Sequence, residues 1–167
     1  MKEIRLRALE PEDLELMYEA ENDRSLWNVG TTNVPYSRES LRQFILSTTN
    51  DIYADRQLRL IAENKDGEAV GMVDLINFDP QNQKAEVGIV VKREMRKRGY
   101  ATEMLHELKR YAREVIHLHQ LYAIVAEDNK ESEALFVKAS FGAEGTLREW
   151  LFDGKKYINC RVMQLFL

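Results

Sequence analysis

Apolar and polar residues alternate along residues 3–8, and this period of two predicts a strand with one buried face. A helical stripe of apolar residues follows from Pro11, a residue that suits a first helical turn. A second helix is predicted after Ser37, which has the side chain of an N-cap. Residues 22–36 show neither period and contain Gly30 and Pro35, so we expect a long loop or a broken helix there.

The rest of the chain alternates between apolar runs and turn signals. Strands are predicted near residues 57–62, 69–78 and 85–91, joined as an antiparallel meander. A helix over 101–115, a strand over 121–126 and a shorter helix over 131–139 follow, and two strands near 146–152 and 156–166 close the chain. Asp153-Gly154 lies between the closing strands and predicts a type I′ hairpin turn, with positive φ at both residues.

The order of these elements, β-α-α-β-β-β-α-β-α-β-β, predicts an α/β (α+β) fold. We expect a mixed, mostly antiparallel central sheet of about seven strands flanked by helices. The helix over 101–115 joins its two neighbouring strands as a βαβ unit, so those strands should be parallel. The sequence contains no repeat, low-complexity segment or linker, and we expect a single domain over residues 1–167.

Composition narrows the class of protein. The 167 residues carry a net charge of -4 and are 44% hydrophobic, which is typical of a globular chain with a core rather than of a disordered one. There is no run of about 20 apolar residues and no secretory signal at the start, so we expect no membrane partner and a reduced, cytoplasmic location. Mild acidity argues against nucleic acid as a partner. With Cys160 as the only cysteine and with three histidines, we expect no metal site.

Residues 87–102 carry the candidate chemistry, as a predicted strand, a basic loop and the start of a helix. A helix N-terminus offers unpaired N–H groups, and the small residues Gly99 and Ala101 let a phosphate approach them. Arg96, Lys97 and Arg98 add positive charge, so a pyrophosphate is the expected ligand. A solvated charged turn is the alternative. Neither the P-loop motif nor the Gly-x-Gly-x-x-Gly dinucleotide motif is present.

The sequence Arg96-Lys97-Arg98-Gly99-Tyr100-Ala101 fits the pattern Gln/Arg-x-x-Gly-x-Gly/Ala and lies between an apolar strand and an amphipathic helix. This arrangement resembles the acyl-CoA pyrophosphate loop of the GNAT N-acetyltransferase superfamily. The resemblance covers the whole chain and is strongest to the spermidine N-acetyltransferases and the RimJ/RimL-type enzymes. Further shared signatures are Leu-Tyr-Ala-Ile-Val at 121–125, Asn129, and Phe141 followed by Glu144-Gly145.

The resemblance implies the GNAT acyl-CoA acyltransferase fold, in which the parallel strands splay apart near Val91 and Val125 to admit the cofactor. It also implies an acetyl-CoA-dependent N-acetyltransferase. The acetyl group would pass from acetyl-CoA to a primary amine by direct attack in a ternary complex, with no covalent enzyme intermediate. The amine would belong to a polyamine, another small molecule, or the N terminus of a peptide or protein. A homo-oligomer is a further expectation, because many relatives associate.

The family's cofactor contacts carry over to matching positions. Main-chain groups of Ile89, Val90 and Val91 would hold the pantetheine arm and the acetyl carbonyl. The N–H groups of the basic motif would hold the pyrophosphate, with an added hydroxyl from Thr102, and Asn129 would bind the pantetheine region. The expected cofactor-binding residues are therefore Ile89, Val90, Val91, Arg96, Lys97, Arg98, Gly99, Tyr100, Ala101, Thr102, Asn129 and Phe136.

Glu86 is the candidate base, because a carboxylate is unusual on an apolar strand and such a charged group indicates a functional role. It would take the amine proton, directly or through water, or bind the amine. The alternative is a structural hydrogen bond to the loop after the first helix. The N–H of Val90 or Val91 would stabilise the oxyanion, so Glu86 and Val91 are the expected catalytic residues. Trp27 and Tyr36, with Glu86, are the expected substrate residues, although packing of a loop explains the two aromatic side chains equally well.

Two positions depart from the family's pattern. Many relatives have a tyrosine acid where this chain has Phe136, which has no proton to give. Another group (Tyr122, Tyr157 or Ser132) then protonates the leaving thiolate, or the thiolate leaves unaided, or the chain is a slow enzyme or a non-catalytic CoA-binding module. The polyamine branch has an acidic pair before a Pro-Tyr in the early loop. Here Asn33-Val34 precede Pro35-Tyr36, which leaves the acceptor open.

Overall fold

A computed structural model of the chain describes residues 3–26 and 34–167. Within them, seven strands form a sheet in the order β1-β2-β3-β4-β5-β7-β6. The strands are β1 Ile4–Ala8, β2 Leu58–Asn64, β3 Ala69–Asp79, β4 Lys84–Val91, β5 Gln120–Ala126, β6 Gly142–Phe152 and β7 Tyr157–Phe166. The helices are α1 Leu14–Glu21, α2 Arg38–Ser47, α3 Ile52–Asp55, α4 Tyr100–Glu114 and α5 Lys130–Lys138. In the described ranges none of these helices has the length and apolar character needed to cross a membrane.

Neighbouring strands of the sheet are antiparallel except β4 and β5, which are parallel. The predicted fold class is therefore confirmed. Helices cover both faces of the sheet, with α4 and α5 on a core that includes Met104 and with α1 and α2 on a smaller core around Met17. Because strand residues point alternately to the two faces, Ile89 and Val91 of β4 pack against the first core and Val90 against the second.

Side-chain bonds fix the starts of α1 and α2. A 3₁₀ turn, Pro11–Asp13, precedes α1. The carboxylate of Asp13 accepts hydrogen bonds from Arg7 at 2.7 and 2.9 Å and from the N–H of Glu10 at 2.9 Å. Ser37 is the N-cap of α2, as predicted, and its hydroxyl oxygen accepts from the N–H of Ser40 at 3.0 Å. Both helices thus begin at side chains that satisfy N–H groups near the helix start.

The parallel strands pair only at their beginnings. The register pairs are Lys84–Gln120, Ala85–Leu121 and Glu86–Tyr122. β4 continues to Val91 and β5 to Ala126, and β5 pairs with β7 over its whole length. The two strands therefore separate beyond Glu86 and leave an opening in the sheet, in agreement with the expected splay.

The closing hairpin differs from the prediction. β6 ends at Phe152 and β7 begins at Tyr157. The side chain of Asp153 accepts hydrogen bonds from the N–H groups of the two lysines at 155 and 156, both at 2.8 Å. Gly154 has a φ of 94°, whereas Asp153 has no positive φ. The predicted type I′ turn is wrong, because the aspartate side chain closes the longer loop in place of a second left-handed residue.

The sequence pattern also missed α3. Asp51 caps this single turn by accepting a hydrogen bond from the N–H of Tyr53 at 2.9 Å. The turn ends at Arg56, which has the left-handed φ of 57°. A helix of one turn is too short to show a repeat of 3.6 residues, so periodicity could not predict it.

Candidate active site

The separation of β4 and β5 opens a cavity of about 500 Å³. Ten of the twelve predicted cofactor residues line it: Ile89, Val90, Val91, Arg96, Lys97, Gly99, Tyr100, Ala101, Asn129 and Phe136. Sequence reasoning did not assign Leu26, Gly88, Ala123 or Leu151 to the site, but these residues line the cavity as well. The structure thus brings together the end of β4, the basic loop, the start of α4 and α5 around one space.

Two predicted cofactor residues do not line this cavity. Arg98 is exposed, and its Nη1 lies 3.9 Å from the Sδ of Met95. Thr102 is half-buried in the first turn of α4. The left-handed backbone at Lys97 (φ 60°) and Gly99 (φ 85°) turns successive side chains of the loop in different directions, which a linear motif cannot show.

The start of α4 offers main-chain donors to the cavity. Gly99 is the N-cap, and no described side chain caps this helix end. The first N–H groups of a helix have no partner within the helix, and they lie at the positive end of its dipole. The side chains of Arg96 and Lys97 add positive charge, although the Nζ of Lys97 also lies 3.7 Å from the Oε1 of Glu131. This set of donors and charges fits the diphosphate of a nucleotide cofactor.

The end of β4 turns one main-chain edge toward the opening. The N–H of Lys92 donates to the oxygen of Val70, in the chain segment of β3, at 2.9 Å. Consecutive residues of an antiparallel ladder direct their main-chain groups to opposite sides, so those of Val91 point away from β3. The oxygen of Val91 accepts a hydrogen bond from the Nε of Arg96 at 3.0 Å, in keeping with that direction. Of the two oxyanion donors considered, the ladder favours the N–H of Val91 over that of Val90.

Helix α5 forms another wall of the cavity. Asn129 is its N-cap, and the side-chain oxygen accepts from the N–H of Ser132 at 3.1 Å. The NH₂ group of Asn129 is therefore the group left to donate to a ligand. Phe136 is buried on this wall. Of the three groups considered as replacements for a tyrosine acid, Ser132 lines the cavity, whereas Tyr122 and Tyr157 do not.

Glu86 lies in the last pair of the parallel ladder, half-buried, and it does not line the cavity. Its Oε2 accepts a hydrogen bond of 2.7 Å from the Nδ2 of Asn77 on β3, rather than from the loop after α1. Burial raises the pKa of Tyr122, and the negative charges of Glu86 and Asp79 raise it further. Glu86 is thus one residue away from the opening, and its catalytic role stays a prediction.

Sequence reasoning missed an ion-pair network on the same face of the sheet as Glu86. Arg59 donates to both carboxylate oxygens of Asp74, at 2.7 and 2.9 Å, and to Glu21 at 2.7 Å. Burial opposes the charge of Arg59, but the two carboxylates raise its pKa above the usual value. Asp74 lies opposite Gly88, where an added Cβ would be 3.2 Å from the Cβ of Asp74. The network therefore lies next to the cavity wall. The charged residue Asp74 within the apolar strand β3 was the feature of the sequence that could have indicated it.

The structure does not place the predicted substrate residues at the cavity. Tyr36 is half-buried against the smaller core and does not line the cavity. Trp27 lies outside the described residues. Trp150, a third aromatic side chain that could line an amine pocket, is 56% exposed, and its neighbour Leu151 lines the cavity instead. The substrate roles of Trp27 and Tyr36 stay predictions.

Comparison with known families shows which family the chain belongs to. The sequence profile of the acetyltransferase (GNAT) domain matches residues 3–141. The chain belongs to the GNAT acetyltransferase family. The matched part runs from the start of β1 to the residue before β6, so it contains the opening between β4 and β5, the basic loop and the N-cap of α5.

Individual relatives of this GNAT protein agree with the family. A spermidine N(1)-acetyltransferase of Escherichia coli (strain K12) is 29% identical over 166 residues, which cover 98% of this chain and 86% of the relative. A putative ribosomal N-acetyltransferase of Bacillus subtilis (strain 168) is 31% identical over 153 residues, covering 89% and 83%. The crystal structure of a Vibrio cholerae spermidine N-acetyltransferase in complex with CoA and spermine has 26% identity and a TM-score of 0.87, covering 98% and 95%.

Site geometry and family together define the reaction class. The GNAT protein is an acetyl-CoA-dependent N-acetyltransferase, with acetyl-CoA as cosubstrate and an amine as acceptor. The cavity fits this cosubstrate, because it combines a free strand edge with an uncapped helix start and basic side chains.

Proposed function

We propose that this GNAT enzyme acetylates a primary amine of a small polycation, with polyamines as the acceptor class. The observation that carries the proposal is the charge of the sheet face beside β4. Glu21 and Asp74, which bond to Arg59, and Glu86, which bonds to Asn77, place three carboxylates there beside one guanidinium. A face with net negative charge attracts cationic acceptors. The names of the Escherichia coli and Vibrio cholerae relatives support the same class.

In this proposal the cosubstrate occupies the opening between β4 and β5, and its acetyl thioester supplies the electrophile. Main-chain groups of residues 89–91 would hold the pantetheine arm, as a sheet edge holds an added strand. The NH₂ group of Asn129 would donate to the same arm from α5. The N–H groups at the start of α4, with Arg96 and Lys97, would hold the diphosphate.

Proton transfer is assigned to groups at the edge of the opening. A protonated amine is not a nucleophile, so the acceptor has to lose a proton before it attacks. Glu86 would accept that proton through water, because it lies next to the opening without lining the cavity. The N–H of Val91 would stabilise the negative charge that develops on the acetyl oxygen. Ser132, one turn before Phe136 on the same face of α5, would donate a hydrogen bond to the leaving thiolate, which takes its proton from solvent.

A thiol-release assay tests the acceptor class. Acetyl-CoA is held constant while spermidine, spermine, a monoamine of similar length and a short peptide with a free N terminus are compared. We expect kcat/KM for the polyamines to exceed that for the monoamine and the peptide by about tenfold or more, because only the polyamines carry additional charges for the acidic face. Preference for the peptide would instead favour a protein acceptor, and no thiol release with any amine would contradict the proposal.

Three expectations from the sequence remain proposals beside this one. We infer that residues 1–167 form one domain, that copies of the chain associate, and that the enzyme is cytoplasmic. Limited proteolysis tests the first, light scattering after size-exclusion chromatography the second, and a fluorescent fusion the third. Cleavage into two stable fragments, the mass of a monomer or a membrane-bound signal would contradict the respective expectation.

A further inference from the structure

The end of α1 is joined to the basic loop by one carboxylate. Asp23 accepts hydrogen bonds from the Nη2 atoms of Arg93 and Arg96, at 3.1 and 3.2 Å. It also accepts from the N–H of Ser25 at 3.0 Å and from its hydroxyl at 2.6 Å. The Asp23 side chain is only 7% exposed. This carboxylate therefore holds both the basic loop and the short turn after α1.

The preceding residue holds the other end of the α1–α2 connection. The Nδ2 of Asn22 donates to the oxygen of Tyr36 at 3.0 Å, and the N–H of Tyr36 donates to the Oδ1 of Asn22 at 2.8 Å. Tyr36 immediately precedes the N-cap of α2. Two consecutive side chains thus fix the start of α2 and the basic loop relative to each other.

Arg96 extends this connection into the active site. Its Nη2 is held by Asp23, and its Nε holds the oxygen of Val91. Leu26, in the turn that Asp23 stabilises, lines the same cavity. The chain of contacts from Tyr36 through Asn22 and Asp23 to Arg96 and Val91 therefore links a predicted substrate residue to the cofactor cavity.

We propose that Asp23 is a positioning residue that couples cofactor binding to acceptor binding. Asp23 sets the guanidinium of Arg96, which in turn sets the end of β4, while the adjacent Asn22 sets Tyr36. Cofactor contacts with the basic loop then hold Asn22 and Tyr36 in place for the acceptor, and by thermodynamic linkage the acceptor strengthens cofactor binding by the same factor as the cofactor strengthens acceptor binding. The inference rests on the predicted substrate role of Tyr36, and on the proposed acceptor class for the choice of probe.

Calorimetry with free CoA, which lacks an acetyl group and cannot react, measures this coupling. Spermidine affinity is determined without CoA and with saturating CoA, for the wild type and for Asp23→Asn. We expect CoA to strengthen spermidine binding by about tenfold in the wild type, and by less than about twofold in D23N. Glu15→Gln is the matched control, because it removes a carboxylate of α1 that pairs with an arginine, Arg38, at 2.8 Å, outside the chain of contacts. It should keep the full coupling.

Kinetics separate coupling from a loss of stability. We expect D23N to raise KM for spermidine at saturating acetyl-CoA by about tenfold with a smaller change in kcat, whereas simple destabilisation lowers kcat through the fraction of folded enzyme. If D23N folds poorly, Ser25→Ala is the second variant, since it removes the 2.6 Å hydroxyl donor and keeps the charge. It should reduce the coupling in part. Full wild-type coupling in a folded D23N would overturn the proposal.

An acceptor-independent measurement keeps the test informative if spermidine is not the acceptor. Failure of spermidine to bind the wild type would contradict the proposed acceptor and leave Asp23 to be tested through CoA alone. We then expect CoA to slow hydrogen exchange of the Tyr36 amide, which is bonded to Asn22, in the wild type and in E15Q. This protection should be lost in D23N. Equal protection in D23N, or none in the wild type, would overturn the coupling.

Discussion

The guanidinium Nε of Arg96 donates a hydrogen bond of 3.0 Å to the main-chain oxygen of Val91. The first residue of the basic motif therefore secures the end of β4 in addition to lining the cofactor cavity. Because Arg96 satisfies that oxygen, the N–H of Val91 is the group that this residue offers to the cavity. The position of β4 at this point also depends on its neighbour β3, where Gly71 is paired with Val91.

Gly71→Ala should displace the end of β4. A Cβ at Gly71 would overlap the oxygen of Val90 and would lie 3.0 Å from the Cα of Val91. Both contacts involve main chain, which cannot rotate away as a side chain can. We expect the free energy of unfolding to fall by about 1–3 kcal/mol and kcat/KM to fall by about tenfold, measured by chemical denaturation and thiol release.

Gly145→Ala is the control for this prediction, because a Cβ there would meet nothing within 4 Å. We expect its stability to stay within about 0.5 kcal/mol of the wild type, with unchanged activity. Wild-type stability and activity in G71A would show that β4 has room to move at this point.

Gly99→Val should weaken CoA binding. Gly99 has a φ of 85° at the N-cap of α4, and no atom lies within 4 Å of its added Cβ. The substitution strains the left-handed backbone and places two methyl groups where a diphosphate would approach the N–H groups. We expect Kd for CoA, measured by calorimetry, to rise by about tenfold or more.

Gly67→Val is the control that separates the effect of backbone strain from the effect on the cofactor site. Gly67 also has a left-handed φ, of 77°, and open space around its Cβ, but it lies in the turn between β2 and β3. Both valine variants should lose about 1–2 kcal/mol of stability, and only G99V should lose affinity for CoA. Equal affinities in the two variants would mean that the phosphates bind elsewhere.

Phe136→Tyr should accelerate the reaction. Phe136 lines the cavity from α5, and the resemblance to the family implies a tyrosine acid at this position. A hydroxyl at this point supplies a proton for the leaving thiolate, and general acid catalysis typically contributes about 10²–10⁴-fold. We expect kcat to rise by about tenfold or more in the thiol-release assay, since Ser132 already serves the wild type in part.

Phe141→Tyr is the matched control. Phe141 packs edge-on against Phe136, with ring centroids 5.0 Å apart, and is equally buried, but it does not line the cavity. We expect this variant to lose about 1–3 kcal/mol of stability by burying an unpaired hydroxyl, with no gain in rate. A gain in rate in both variants, or in neither, would contradict the hypothesis that the wild type lacks a general acid at Phe136.

Glu86→Gln should slow the reaction if Glu86 accepts the amine proton. The glutamine oxygen can still accept from Asn77, so the hydrogen bond of 2.7 Å is preserved while the base is lost. We expect kcat/KM to fall by about 100-fold in the thiol-release assay. Asp79→Asn, which changes a neighbouring carboxylate that bonds to Asn82, should leave kcat/KM within about twofold of the wild type. Wild-type kcat/KM in E86Q would leave Glu86 with a structural role.

Acid should remove the contribution of Asp23 to stability. The hydrogen bond from the Ser25 hydroxyl, with the cationic side chains of Arg96 and Arg93, lowers the pKa of Asp23 to about 2. The unfolded value is about 3.9, so the stabilisation is complete above roughly pH 5 and is lost as the pH falls from about 4 towards 2. We expect the difference in melting temperature between the wild type and D23N to be constant near neutrality and to shrink over that acidic range. Thermal unfolding at a series of pH values measures it, and a difference that persists at pH near 2 would contradict the assignment.

The local features of this protein follow from its sequence alone. Period-two alternation and short apolar runs predicted the strands, helical spacing of apolar residues predicted α1, α2, α4 and α5, and Ser37 marked the start of α2, because these signals depend on burial and capping within a few residues. The motif from Arg96 to Ala101 located the basic loop, because a motif also depends only on residues that are close together in the sequence. The one-turn helix α3 and the loop at Asp153 escaped, because each is set by a single side-chain cap rather than by periodicity.

The tertiary structure alone decided which distant side chains meet. Arg59 bonds to Glu21, 38 residues earlier, and Arg96 bonds to Asp23, 73 residues earlier. Both contacts depend on the register of the sheet and on how α1 packs against it, and a one-dimensional pattern contains neither. The sequence therefore determined the class of fold and the cofactor loop. Only the folded chain determined that acidic side chains lie beside β4 and that Asp23 bonds to two arginines of the basic loop, because long-range ion pairs are consequences of packing.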